Sequence, residues 1–302
     1  MINGILNVYK EKGFTSHDVV AKLRGIAGQK KIGHTGTLDP DAVGVLPVCL
    51  GKATKLCDLL TEKDKTYETV LLLGKTTDTQ DISGEVISEK QVEGITEEDV
   101  RETILSFVGE HEQIPPMYSA LKVNGKKLYE LARKGIEVER KARNVKILDI
   151  DIKEIALPRI RMEVSCSKGT YIRTLCHDIG EKLGCGGCME ELIRTKVSFF
   201  RIEDSLTLSQ IEEAKCEGKL EQILLPIEEM FPNYQKIKVK EEHCALLYNG
   251  NPFYVNQAER FEPVEDGEQV RVYDYQGCFI GLYRYEKEKR MFKIVKMFFD
   301  KK

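Results

Sequence analysis

Apolar positions along the chain fall into two rhythms. Ile5 to Tyr9 reads as a short strand. After Thr15-Ser16, the residues Val19, Val20, Leu23 and Ile26 recur at helical spacing and Gly28 closes the run, which predicts a capped helix. Val43 to Cys49 is a continuous apolar run, buried but too short for its period to choose helix or strand. Ala53 to Leu60 reads as a helix, and Thr66 to Leu73 (TYETVLLL) as a strand rich in β-formers. Thr96 caps a further helix running to Val108, with Glu97, Glu98 and Asp99 in the first turn, where the helix dipole favours negative charge. Pro115-Pro116 breaks the chain, and Leu128 to Arg133 is a short helix ended by Gly135. Val145 to Ile155 and Ile160 to Cys166 alternate as strands with one wet face. Helices follow at Tyr171 to Leu183 and, capped by Thr207, at Leu208 to Ala214. Beyond Phe231-Pro232-Asn233-Tyr234 the runs become short and strand-like, separated by the turn signals Asn249-Gly250, Asp266-Gly267 and Gln276-Gly277. The pattern predicts an α+β chain with a boundary near residue 234 and a small all-β module of about 65 residues after it.

Composition narrows the class. The 302 residues are 41% apolar and 31% charged, as in ordinary soluble proteins. No apolar run has bilayer-spanning length, and MINGILNVYKEKG is not patterned as a signal peptide. Nine scattered cysteines, an odd number, point to reduced thiols and a cytoplasmic setting. A net charge of -3 speaks against a nucleic-acid partner, but the charge is segregated. Residues 121–147 carry nine bases against three acids, a net +6, and Lys22, Arg24, Lys30 and Lys31 form a second basic group. Taken singly, each run reads as a solvated face.

Candidate chemistry sits in two islands. The first is GHTGTLDPDAVGVLPVCLGKATKL, residues 33–56. Gly51-Lys52 fails as a phosphate loop, because Leu46 replaces the required glycine and Ala53 the hydroxyl residue. Cys185-Gly186-Gly187-Cys188 lacks the second pair that a zinc site needs, and no cofactor motif occurs. Carboxylates remain. Asp39 precedes Pro40, which biases it toward extended backbone. Asp41 is placed to cap or anchor the segment that follows, and His34 has the bland reading of a loop histidine bonded to backbone. Composition alone does not choose between the two acids. The second island is CSKGTYIRTLCHDIGEKLG, residues 166–184, with Tyr171 and Arg173 in the first helical turn. An arginine there opposes the dipole preference, so a carboxylate or phosphate partner is expected; the alternative is a surface arginine.

Together these islands resemble the bacterial tRNA pseudouridine-55 synthases, the stand-alone enzymes of the TruB family that isomerise a uridine in the T loop of tRNA. The resemblance covers essentially the whole chain. It runs through KEKGFTS (10–16), KIGHTGTLDPDAVGVLPVCLGKATKL (31–56), Lys65-Thr66-Tyr67, QIPPMYSALK (113–122), GTYIRT (169–174) and Leu192-Ile193-Arg194. Glu11 departs from the family's usual proline, which bears on a turn. VRVYDYQGCFIGLYRYE (270–286) with KIVKMFF resembles a PUA domain, a small RNA-binding β-barrel.

The resemblance implies a mixed, mainly antiparallel sheet flanked by helices. It implies a catalytic domain over 1–233, with an RNA-gripping basic insert at about 110–147, and a PUA-like domain over 234–302. Asp39 is implied as the catalytic aspartate, Tyr67 as the aromatic that stacks on the target uracil, and Arg173 as the partner of the aspartate. Tyr171 and Leu192 are implied as uracil-pocket residues and His34 as the residue that fills the gap left in the T loop. Lys10 and Lys122 in the matched motifs, and Arg133 and Arg143 in the basic segment, are the candidate RNA contacts. No cofactor and no metal are implied; the expected partner is the T stem-loop of tRNA and the expected state a monomer. Two other readings stay open: a tRNA-binding or folding protein whose catalysis is secondary, and a guide-RNA-dependent synthase.

Overall fold

The computed structural model describes residues 1–123 and 125–299. A nine-stranded sheet organises the first three-quarters of the chain. Its strands are β1 (Gly4–Lys10), β2 (Ile32–His34), β3 (Val43–Leu50), β4 (Lys65–Leu73), β5 (Gly109–Gln113), β6 (Arg143–Ala156), β7 (Arg159–Cys166), β8 (Gly187–Val197) and β9 (Phe200–Arg201). The order is β1-β3-β8-β4-β7-β6-β5, with β2 on β3 and β9 on β8. Every pairing is antiparallel except β3 with β8, which meet through Val43–Ile193 and Gly44–Arg194. The apolar run at 43–50 is thus a central strand, which explains why it lacks alternation: both its faces are covered.

Two helix groups cover the sheet. Helix α1 (Ser16–Ala27) and α6 (Leu208–Cys216) pack Val19, Leu23 and Ile211 on Leu6, Leu46 and Val48 of β1 and β3. Helix α3 (Glu97–Leu105) and α5 (Ile172–Lys182) pack Val100, Ile104, Leu175 and Ile179 on Leu71, Ile160 and Met162. The predicted caps are present: Thr15, Thr96 and Thr207 each accept the backbone N–H of the third helical residue, whose side chain returns the bond.

Some segments differ from the sequence reading. Ala53–Leu60 is not one helix. A 3-10 turn over Gly51–Leu56 precedes a short helix α2 (Cys57–Thr61). Gly51, at φ 60°, starts that turn so close to Asn3 that a Cβ would lie 2.2 Å from the Asn3 Oδ1. Lys52 N–H donates to the same oxygen at 2.8 Å, which pins the turn before a helix can form. Helix α3 ends at Leu105, and Phe107 turns into the core. Tyr171 lies just outside α5, as its N-cap.

The basic segment forms a small hairpin (Lys122–Val123 with Lys126–Lys127) followed by α4 (Leu128–Ala132). After residue 234 a second sheet orders β10 (Lys236–Lys238), β12 (Gln269–Tyr273), β13 (Phe279–Glu286), β14 (Met291–Met297) and β11 (Phe253–Tyr254) around its own apolar cluster. It is not purely β: helix α7 (Cys244–Tyr248) buries Cys244 and Leu247 in that cluster. Five residues make barely more than one turn, too few for periodicity to register. This sheet touches the first through Leu282 and Phe298, which pack with Ile5, Val45 and Phe200. No helix among the described residues is long and apolar enough to cross a membrane.

Candidate active site

The loop that carries Asp39 is fixed at both ends. Leu38 buries its side chain and donates its N–H to the Ser16 Oγ at 2.9 Å. The Pro40 carbonyl accepts from Gly13 N–H at 2.9 Å and from the Lys10 ammonium at 3.0 Å. Lys10 is fully buried and also donates to the Phe14 and Glu11 carbonyls, at 2.6 and 3.2 Å. Burial lowers its pKa to about 8. Of the sequence-derived RNA contacts, Lys10 is therefore misplaced: its charge is spent on three carbonyls beneath the aspartate loop and cannot reach a phosphate. Asp41 is exposed and caps nothing, because strand β3 rather than a helix follows, and its carboxylate takes no hydrogen bond among the described residues.

Arg173 meets Asp39. One guanidinium nitrogen, Nη2, lies 3.0 Å from Asp39 Oδ2 and 3.2 Å from Oδ1, and donates to the Tyr118 carbonyl at 3.0 Å. The other, Nη1, lies 3.6 Å from Asp81 Oδ2. The arginine at the wrong end of a helix dipole thus has the carboxylate that its position required, and a second one besides. Sequence reasoning missed Asp81. Its carboxylate is held by Thr79 Oγ1 at 2.8 Å and Ser83 N–H at 3.1 Å, while Gln80, at φ 65°, accepts from Thr174 Oγ1 at 2.7 Å. The only signal in the sequence is the turn-rich string TTDTQDISGE (76–85), which looks like any exposed loop.

Burial raises the pKa of Asp39 above its ordinary value, and the Arg173 charge only partly reverses that rise, while Asp81 adds to it. The side chain is still 39% exposed, so the carboxylate is open to solvent and not sealed in the core. Arg173, 7% exposed, is the rigid partner of the two.

Tyr67 lies on β4 in the core cluster with Leu38 and Ala42, below the aspartate loop. Its phenol pKa is raised by burial, and the guanidinium of Arg194 against the hydroxyl acts the other way. Arg194 is itself wholly buried; its Nε donates to the Val45 carbonyl at 2.7 Å. Arg194 entered the sequence reading only as the end of a motif, because a fully buried arginine has no signature of its own. Gly44 explains how it fits. A Cβ there would lie 2.3 Å from the Arg194 carbonyl oxygen, so only glycine lets β3 and β8 cross at this point.

Tyr171 is clamped by Gln113, which accepts its N–H at 2.8 Å and donates to its carbonyl at 3.0 Å; its ring lies 6.0 Å from the Arg173 guanidinium carbon. Leu192 is half-buried against the same cluster as Tyr67. His34 sits edge-on to His17, with ring centroids 5.6 Å apart, and burial lowers its pKa, so the ring is neutral at physiological pH. Lys122, Arg133 and Arg143 are exposed on the basic segment. Arg133 lies over the Tyr129 ring at 5.4 Å, and Arg143 opens β6 and bears on Tyr171. The stem of that segment is tied to the site through the Tyr118 carbonyl on Arg173 and the Tyr118 hydroxyl on Asp78, 3.2 Å away.

The fold defines the class first. The chain superposes on an H/ACA ribonucleoprotein bound to a substrate RNA containing 2'-deoxyuridine with a TM-score of 0.71 and 25% identity, covering 98% of this chain and 85% of that one. A Cbf5-Nop10-Gar1 complex gives 0.71 with 27% identity and the same coverage. This is the pseudouridine synthase fold. Residues 24–172 match the N-terminal domain of the TruB family pseudouridylate synthases, and residues 173–232 match the tRNA pseudouridylate synthase B C-terminal domain. A tRNA pseudouridine synthase B of Lachnoclostridium phytofermentans is 56% identical over 98% of this chain and all of the relative. Those of Alkaliphilus oremlandii and Clostridium perfringens are 46% identical over 99% of this chain and all of theirs. The chain belongs to the TruB family of pseudouridylate synthases.

Proposed function

We propose that this chain isomerises the uridine at position 55, in the T loop of tRNA, to pseudouridine, with Asp39 as the group that acts on the nucleotide. As a TruB-family enzyme it converts uridine in tRNA. The reaction breaks the N1–C1′ bond, joins C5 to C1′, releases the C5 proton and returns a proton to N1, so no electrons are exchanged. The observation that carries the reading is the contact of the part-exposed Asp39 carboxylate with the buried Arg173. Adding to the uracil ring and taking a ribose proton to give a glycal both require an ionised carboxylate, and Arg173 favours that form.

The neighbouring residues support distinct roles. The uridine must leave its stack to reach Asp39. Tyr67 offers its ring, and stacking on an aromatic contributes about 1–3 kcal/mol per base. Its raised pKa makes it a neutral phenol in the free protein, suited to stacking; as base for the C5 proton it must first be polarised by Arg194. Tyr171 and Leu192 wall the uracil, and neutral His34 fills the vacated place in the loop. Lys122, Arg133 and Arg143 meet phosphates. Residues 1–233 form the catalytic domain and the module from 234 acts as a PUA-like RNA-binding domain. The enzyme works as a monomer in the cytoplasm, without cofactor, metal, guide RNA or partner protein. The test is the purified chain alone on an unmodified T-arm hairpin: stoichiometric pseudouridine supports the reading, and activity only with added guide RNA and proteins favours the guide-dependent one.

A further inference from the structure

A cavity of about 470 Å³ lies on the opposite face of the sheet from Tyr67. Its floor is Thr66 and Ser165, register partners on β4 and β7 whose hydroxyls bond at 3.0 Å. Successive strand residues point to opposite faces, so Thr66 turns away from the core that takes Tyr67. Lys196, paired with Thr66 from β8, stands on that same face, and Lys63 and Arg201 complete the rim. These three cations are exposed, and among the described residues their side chains make no ion pair and no hydrogen bond. Lys65 also lines the cavity, but its ammonium is occupied by the Thr61 and Lys63 carbonyls, and Asp64 is the one acid present.

An aromatic lines the same cavity. Phe199 is 45% exposed and stacks on buried Phe200, centroids 4.5 Å apart and planes at 26°. It occupies the tip of the β8–β9 hairpin, a two-residue turn whose first position is Ser198 at φ 55°. Turns of this kind ordinarily place glycine there. Ser198 N–H donates to the Asp64 carbonyl at 3.1 Å, which fixes the tip against the cavity wall. A non-glycine residue kept in the left-handed region, presenting an exposed ring beside three unpaired cations, is an arrangement maintained against its local preferences.

We propose that this cavity is a second RNA site, taking a single-stranded ribonucleotide segment outside the T arm. The base stacks on Phe199, the flanking phosphates meet Lys63, Lys196 and Arg201, and the Thr66 and Ser165 hydroxyls face the nucleotide edge. The proposal rests on reading the chain as an RNA-modifying enzyme, but its test is separate. A fluorescent hexauridylate is titrated against the full chain whose cleft is saturated with unlabelled T-arm hairpin. The probe binds under these conditions. Phe199→Ala weakens it by about fivefold or more. Lys196→Gln combined with Arg201→Gln lowers the slope of log affinity against log salt by about 0.7 for each phosphate contact removed. Both variants modify the T-arm hairpin at the wild-type rate, which also reports that they are folded. Displacement of the probe by the hairpin, unchanged binding in both variants, or tighter binding of a hexaglutamate peptide overturns the proposal. If the wild type makes no pseudouridine, the reading of the Asp39 site fails while the hexauridylate titration still reads the cavity, with thermal melting as the check on folding.

Discussion

Replacing Arg173 by Met tests the electrostatic core of the site. Met keeps the length of the buried stem and removes the charge that touches both Asp39 oxygens, at 3.0 and 3.2 Å. A fully exposed ion pair contributes about 0–1 kcal/mol, whereas stripping one partner from a buried pair costs about 3–5. Arg173 is 7% exposed and Asp39 39%, so this contact lies between those limits, at about 2–3 kcal/mol after solvent screening. Where pH lies below the carboxyl pKa of both proteins, that corresponds to a rate about 30- to 150-fold lower. The deficit depends on pH in a defined direction. The active carboxylate is the ionised one, its pKa already lies above the ordinary value, and Arg173 is the main influence holding it down. Removing the arginine lifts the pKa further, so the variant loses activity at a higher pH than wild type as acid is added, and its deficit shrinks as pH rises. Single-turnover rates on a T-arm hairpin from about pH 6 to 9, with RNA affinity measured in parallel, read both effects. Arg173→Lys falls between, because one ammonium cannot reach Asp39, Asp81 and the Tyr118 carbonyl together. A deficit of the same size at every pH, or a wild-type rate, refutes the electrostatic role.

Gly44→Ala places a Cβ 2.3 Å from the Arg194 carbonyl at φ 106°; chemical denaturation should show a loss of about 2–4 kcal/mol, and a loss below about 0.5 contradicts the close crossing of β3 and β8. Asp39→Asn should slightly raise the melting temperature at neutral pH. The raised pKa means that the ionised form is penalised in the folded state; that penalty is complete above the folded pKa and absent below the unfolded value of 3.8, so the gain should vanish on acidification toward that value. A gain that instead grows in acid contradicts the sign. Tyr67→Phe should keep uridine binding while Tyr67→Leu weakens it by about fivefold or more, read by inhibition with a fluorouridine-containing hairpin; equal binding by both variants removes the stacking role.

The sequence and the structure agree where local chemistry is strong. Three threonine caps, the strand read at 66–73 and found at 65–73, and the anion demand of Arg173 were each legible from neighbours in the chain. The identity of that anion was not, because Asp39 and Arg173 meet across 134 positions and only the multi-motif resemblance joined them. Asp81 and Arg194 were illegible for opposite reasons. Asp81 lies in a string with the composition of a surface turn, and its value comes from facing Arg173. Arg194 is charged yet entirely buried, which residue type argues against. Lys10 shows the reverse error: a basic residue in a motif that matches the family reads as an RNA contact, but its ammonium is a structural clamp on the Pro40 carbonyl. Side-chain direction, which sequence does not carry, decides each case.

The most direct measurement is tritium release from a T-arm hairpin labelled at uracil C5, with purified wild type and Asp39→Asn at matched RNA occupancy. The account predicts stoichiometric release by the wild type acting alone and none above background by the variant, with RNA binding retained. Release by Asp39→Asn at the wild-type rate would contradict it.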